Sequence, residues 1–270
     1  MSYALITSRH NALAKHARSV RDRRDGQEQI FIEGLRLAEE AVRSRLVVQD
    51  ALFTEKFQSA ERGAKLLSEL KSSGARLSLM SEDVLASVSD TRTPQGIVLL
   101  ASRPRVNRES LFVGANPPLL VIIHSLNNPS NAGAIIRTAE AAGATGIIST
   151  RGTTDLFSAK ALRGAMGSSF RLPLCAGLEF TEALNLCAGH NVRTIGAALS
   201  AAKYHTDADW TGSCALVLGS EAAGLTESEV SMLDEAVRIP MRPPVESLNA
   251  AVASGIILYE AARQRTGVRG

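Results

Sequence analysis

From residue 119 onward the chain alternates short, continuous apolar runs with amphipathic segments, and this alternation restricts its fold more than any other feature. Leu119 to His124 reads as a strand, Ala132 to Ala142 as a helix closed by Gly143, and Thr145 to Ser149 as the next strand. Further strands are expected at Arg193 to Ala198, Ala215 to Leu218 and Ala236 to Pro240, with helices between some of them. Strands that are apolar on both faces need cover on both, so the pattern predicts an α/β fold built on a mostly parallel sheet.

The preceding residues form a smaller α/β pattern. A short strand near Phe31 leads into a helix with Leu35, Ala38, Ala41 and Val42 at helical spacing; Leu46 to Phe53 is strand-like, Ser59 to Lys71 helical, and Gly74 to Leu79 and Gly96 to Ala101 strand-like again. Ser102 to Pro118 then gathers Arg103, Pro104, Arg105, Asn107, Arg108, Gly114, Pro117 and Pro118 with little periodicity. A chain of 270 residues is comfortable as two domains, which we place at 1–103 and 119–270 with a linker at 104–118.

Charge is informative in its distribution. The net charge of +3 is mild, but Arg9, Lys15, Arg18, Arg21, Arg23 and Arg24 face a single acid, Asp22, and form either a phosphate-binding face or a solvated helix face. Aromatic residues make up 4% of the chain, too few for a large base-stacking platform. Cys175, Cys187 and Cys214 form no CxxC pair and are odd in number, which favours a reducing cytoplasm over a disulfide framework. The histidines lack zinc-site spacing, and no apolar run has the length of a membrane span, so neither a metal nor a membrane is expected.

Three segments could carry chemistry. The first, Asn127 to Thr138, places a polar loop after a strand and then a helix that Ser130 or Asn131 could cap, with Ile135, Ile136, Ala139 and Ala142 towards the sheet and Arg137 outward. The second, Ala215 to Leu225, ends a buried strand in a small-residue turn bearing Glu221. The third, Ile239 to Ala250, stops a strand with prolines and starts a helix having Ser247 and Asn249 in its first turn and Leu248, Val252, Ile256 and Tyr259 on one face. Each admits a plain capping or turn explanation by itself. A nicotinamide-dependent oxidoreductase would need GxGxxG after the Leu119 strand, which is absent there.

Together, in order and spacing, the segments resemble the three motifs of the SpoU (TrmH-like) branch of the SPOUT RNA methyltransferases over about Leu119 to Arg265, through Asn131, Gly133 and Arg137, then Gly219, Glu221 and Gly224, then Pro240, Ser247, Leu248 and Asn249. Phe31-Ile32-Glu33-Gly34 and Gln95-Gly96-Ile97-Val98 are similar to that family's small substrate-binding domain, which is like ribosomal protein L30e. The resemblance implies a SPOUT-type sheet with a deep trefoil knot, which general connection rules would not suggest. It also implies a homodimer and S-adenosylmethionine as cofactor. By position, Ala197, Ala198, Gly219, Ile239 and Leu248 would line the cofactor site, and Arg137, Asn131, Glu221, Ser247 and Asn249 would form the active site. The implied reaction is methyl transfer to a ribose 2′-hydroxyl, with ribosomal RNA the first choice and transfer RNA the second. A non-catalytic RNA-binding factor of the same fold is the alternative. Two departures from the family pattern are Ala222, where many members have glycine, and the stiff Arg242-Pro243-Pro244 approach to the third motif.

Overall fold

A computed structural model of the chain describes residues 3–24, 26, 28–113 and 117–267. The chain divides into two compact units, Met1–Arg105 with Phe157–Arg171, and Val106–Leu156 with Leu172–Gly270.

The first unit runs α1 (Ala12–Arg21), β1 (Gln29–Glu33), α2 (Leu35–Arg43), β2 (Val48–Phe53), α3 (Glu55–Ser59), α4 (Glu61–Ser72), β3 (Arg76–Leu79), α5 (Glu82–Val88) and β4 (Ile97–Ser102). Its sheet order is β1-β4-β2-β3, with β4 antiparallel to both neighbours and β3 parallel to β2. Helices α1 and α5 bury Ala14, Ala17, Val20, Val84, Leu85 and Val88 against Phe31, Leu52, Val98 and Leu100 of the strands.

Two of the six basic residues expected at a phosphate face have internal work. Arg21 Nη1 donates to the carbonyl oxygens of Ser87, Val88 and Ser89 at 3.3, 2.9 and 3.0 Å, closing the C-terminus of α5 where a cation is favoured. Arg18 donates to Ser87 Oγ and to the carbonyl of Arg9. Arg23 is half-buried, whereas Arg9, Lys15 and Arg24 are exposed.

The second unit begins with a 3-10 turn, Arg108–Phe112, inside the segment expected as linker; Leu111 is buried in the unit's core, and the Phe112 ring stacks on His190 with centroids 3.7 Å apart. Then come β5 (Leu119–Ile123), α6 (Pro129–Ala141) and β6 (Gly146–Thr150). Between β6 and the next strand the chain returns to the first unit as α7 (Ala159–Ala165) and α8 (Ser168–Arg171). There α7 lies against β1, Arg163 pairs with Asp90 at 2.7 Å and Arg171 with Glu40 at 2.5 Å. This excursion has no counterpart in the sequence reading.

The second unit continues with β7 (Leu174–Leu178), α9 (Phe180–Gly189), β8 (Arg193–Ala197), β9 (Lys203–Tyr204), β10 (Cys214–Leu218), α10 (Glu227–Val230), β11 (Glu235–Arg238) and α11 (Ala250–Thr266). Among the described residues its sheet has seven strands, all parallel, in the order β7-β6-β5-β10-β8-β11-β9. Although β10 comes after β8 and β9 in the chain, it sits between β5 and β8. The C-terminal ends of β5, β10, β8 and β11 therefore stand side by side, and the polar loops that follow them share one edge.

Helix α11 packs on α6, where a Cβ at Gly255 would lie 3.6 Å from Thr138 Cγ2. Its tail is fastened by polar bonds: Arg265 donates to the carbonyls of Pro117, Pro118 and Gly212, and Gln264 accepts from the N–H of the fully buried Trp210. The buried side of α11 is Ser254, Ile257, Leu258 and Ala261. Val252, Ile256 and Tyr259, the apolar face seen in the sequence, are 52%, 38% and 58% exposed. Among the described residues no helix is long and apolar enough to cross a membrane.

Candidate active site

The first segment leaves β5 and enters α6 through Asn128, whose Oδ1 accepts from the N–H of Ser130 at 2.9 Å, with Pro129 as the first helical residue. The helix thus starts earlier than expected, and neither Ser130 nor Asn131 is its cap. Proline suits that position because its fixed φ is helical and it has no N–H to satisfy. Asn131 is left free to bond elsewhere.

The second segment leaves β10 at Gly219. Ser220 and Gly224 exchange backbone hydrogen bonds of 3.1 and 2.9 Å, folding the turn back on itself, with Gly224 at φ +66°. A Cβ on Gly219 would stand 2.5 Å from Leu225 N and closer still to the Gly224 carbonyl, so only glycine fits. Glu221 extends from this turn to the first segment. One oxygen accepts from the N–H of Asn127 at 3.0 Å; the other accepts from the N–H of Asn128 at 3.0 Å and from Asn131 Nδ2 at 3.2 Å. Burial pushes the Glu221 carboxyl up, but the bonds from Asn127, Asn131 and Asn128 outweigh it and hold it below the usual carboxylate range. A carboxylate held ionised in this way is a poor proton donor and a weak base at neutral pH.

The third segment joins through Asn249. Its Nδ2 donates to Asn131 Oδ1 at 3.2 Å, while its own Oδ1 caps α11 by accepting from Ala251 and Val252 N–H at 2.9 and 3.3 Å. Each amide is oriented by the next group: Glu221 requires a donor from Asn131, Asn131 then offers its oxygen to Asn249, and Asn249 turns its oxygen to the helix. Three loops distant in sequence are locked by one polar chain.

Not every expected residue joins this group. Arg137 is exposed on α6, six residues beyond Asn131 and hence about 9 Å along the axis. It makes no hydrogen bond or ion pair with a described residue, and Glu221 takes its bonds from the first segment instead. Ser247 is exposed ahead of α11, not in its first turn, and Asn249 is the cap. Of the expected cofactor residues, Gly219, Ala197 with Ala198, and Ile239 follow or end the neighbouring strands β10, β8 and β11, with the Ala198 N–H donating to Val237 O. Leu248 is 36% exposed on the third loop. Sequence reasoning missed Gly196, where a Cβ would collide with Leu233 and Leu225, and Asn127 and Asn128, whose backbone N–H groups hold Glu221.

The model of the SpoU rRNA Methylase family matches residues 118–259. The chain belongs to that family. An MRM3-like substrate binding domain model matches residues 11–99, ahead of the SpoU region. The chain is 32% identical over 267 residues, covering 97% of it and 94% of the relative, to an uncharacterized tRNA/rRNA methyltransferase of Synechocystis. It is 31% identical over 229 residues to the 23S rRNA (guanosine(2553)-2′-O)-methyltransferase of Bacillus subtilis, covering 85% of this chain and 86% of that one. Similar solved structures include the AdoMet-bound rRNA methyltransferase of Sinorhizobium meliloti, at TM-score 0.85 and 26% identity over 97% of this chain and 98% of that one. Another is the AviRb methyltransferase of Streptomyces viridochromogenes in complex with AdoMet, at TM-score 0.86 and 26% identity over 96% of this chain and all (100%) of that one.

Proposed function

We propose that this protein transfers a methyl group from S-adenosylmethionine to a ribose 2′-hydroxyl of RNA, with ribosomal RNA as first target and transfer RNA as second. The observation that carries the reading is the bonded chain Glu221–Asn131–Asn249, which unites the three SpoU segments at the C-terminal edge of the sheet. The curated relative that acts on a guanosine 2′-oxygen of 23S rRNA supports the atom and the RNA class. The strand order, with β10 between β5 and β8 and α11 against α6, supports the trefoil path.

The strand ends suit the cofactor. Ala197 and Ala198 are small, so a flat ligand can approach their backbone groups, Ile239 and Leu248 offer apolar contact, and Gly219 lets the Gly224–Leu225 backbone close the turn beside them. When bound, S-adenosylmethionine supplies an electrophilic methyl carbon. In-line displacement then requires mainly that the ribose oxygen be aligned and lose its proton. Arg137 is assigned to hold the hydroxyl and an adjacent phosphate through its fork of N–H donors. A guanidinium keeps its proton at neutral pH and is a poor base, so positioning is its main work. Ser247 is assigned to the substrate phosphate. Asn131, Glu221 and Asn249 hold the loops.

Incubation with labelled S-adenosylmethionine and RNA from an unmodified strain should label alkali-resistant positions in large-subunit rRNA. Label on base atoms would overturn the 2′-hydroxyl assignment, and RNA binding without any transfer would favour a non-catalytic factor.

RNA affinity is assigned to the exposed cations Arg9, Lys15 and Arg24 of the first unit, which release counterions from phosphates. Replacing all three with alanine should reduce the slope of log affinity against log salt by about 2 to 3, as read by filter binding across a salt series. An unchanged slope would remove these residues from the interface.

A homodimer is part of the reading. Val252, Ile256 and Tyr259 form an exposed apolar stripe on α11, next to the part of α6 that bears Arg137, and a second copy would cover it. Sedimentation should show a dimer that Ile256→Glu converts to monomer with the fold retained. A monomeric unsubstituted protein would refute this. The cysteines are free and buried, which supports work in a reducing cytoplasm.

A further inference from the structure

Glu221 fixes one side of the second-segment turn, and the other side is held by a residue with no role so far. His124 directly follows β5. Its backbone N–H donates to Leu218 O at 2.8 Å, and its Nε2 lies 2.8 Å from Glu229 Oε1. Leu218 and Glu229 bracket the stretch that carries Gly219 and Glu221, so a single residue grips both ends of it.

The ring is itself held in place. Its Nδ1 is 2.8 Å from Thr150 Oγ1 at the end of β6, the Phe180 ring lies 4.4 Å away at 41°, and Ser125 Oγ is 3.5 Å from Nε2. The other oxygen of Glu229 accepts from the N–H of Thr226 at 2.8 Å, just past Leu225. Burial pushes the Glu229 carboxyl up, but hydrogen bonds from Thr226 and His124 outweigh it and hold it below the usual range, so it remains an ionised acceptor. A polar pair partly screened from water, as this one is, carries some desolvation cost that an apolar side chain of similar size would avoid. Packing alone therefore gives no reason for a histidine here, whereas fixing a geometry does.

We propose that His124 is a positioning residue for the methyl-transfer site: with Glu229 it sets the turn that presents Gly219 and Glu221 to the first and third segments. Its kinetic consequences rest on the proposed function, but its structural consequence does not. The test compares His124→Ala with His124→Gln in the full-length protein, because a glutamine amide can still donate to Glu229. Losing a hydrogen bond to a charged group should speed backbone hydrogen exchange over residues 219–229 by about tenfold or more in His124→Ala, with the rest of the sheet unchanged and the glutamine variant close to the original.

Single-turnover methyl transfer should fall by about tenfold in His124→Ala and recover in His124→Gln, while the KM for RNA stays constant. If His124 acts through the turn, His124→Ala should add little to a Glu221→Ala background. Unchanged exchange over 219–229, a uniform rise across the whole sheet, or equal damage by alanine and glutamine would overturn the proposal. Absence of methyl transfer in the unsubstituted protein would defeat the proposed function, and the exchange comparison would still decide the role of His124.

Discussion

Arg137→Ala is expected to leave S-adenosylmethionine binding nearly unchanged while slowing single-turnover methyl transfer by on the order of 10²–10³-fold, the usual scale for losing a donor aimed at a reacting oxygen. Arg137 is exposed and makes no bond to a described residue, so its removal leaves no buried partner unsatisfied and the fold should tolerate it. Arg137→Lys separates charge from geometry. A lysine keeps the cation but loses the planar fork, so a bidentate hold on hydroxyl and phosphate predicts only partial recovery. Calorimetry for the cofactor and a quenched methyl-transfer assay for the rate give the two readings. Normal turnover in Arg137→Ala would refute the assignment outright.

The second large effect is expected at Gly219. In Gly219→Ala the new methyl group would meet backbone of Gly224 and Leu225, which has no rotamer to move, so the turn must open and the Ser220–Gly224 bonds must stretch. Overpacking of this kind costs about 1–3 kcal/mol. If that loss falls on the cofactor site, affinity drops by roughly 5- to 150-fold. Ala222→Gly in the same turn is the control: Ala222 is exposed, and its methyl group can be removed with little effect. A folded Gly219→Ala protein with unaltered cofactor affinity would show that the turn does not shape that site.

The parallel sheet was readable because its strands are continuous apolar runs, as in Leu119–Ile123 and Cys214–Leu218, and burial on both faces leaves no other pattern. Strand β7 was not readable: Leu174–Leu178 lacks β-branched residues and includes a glycine at positive φ. Helix α11 was read as a helix with an apolar face, yet Val252, Ile256 and Tyr259 point outward while Ser254 is fully buried. Periodicity finds an apolar stripe but not what covers it. At the site, the polar residues were identifiable and their bonds were not. Glu221 lies about ninety residues beyond Asn131 in the chain, and Glu229 more than a hundred beyond His124. Only the strand order that puts β10 beside β5 brings them together. The start of α6 was misplaced because three residues near it, Asn128, Ser130 and Asn131, all have capping chemistry.

The return of α7 and α8 to the first unit bears on how the protein is made. Domains emerging from a ribosome usually fold in order from the N-terminus, at about 5–20 residues per second. Here β1 is covered by α1 and α2 from the start but lacks α7, the third helix against it, until the chain has passed Ala165, so for several seconds after Arg105 appears the first unit is a sheet with part of its cover missing. During that interval β5, α6 and β6 are already exposed, without the strand β10 that will separate β5 from β8. The nascent chain thus holds two unfinished sheets at once, and a cut just after Arg105 would yield an N-terminal fragment without the α7 and α8 that complete the first unit.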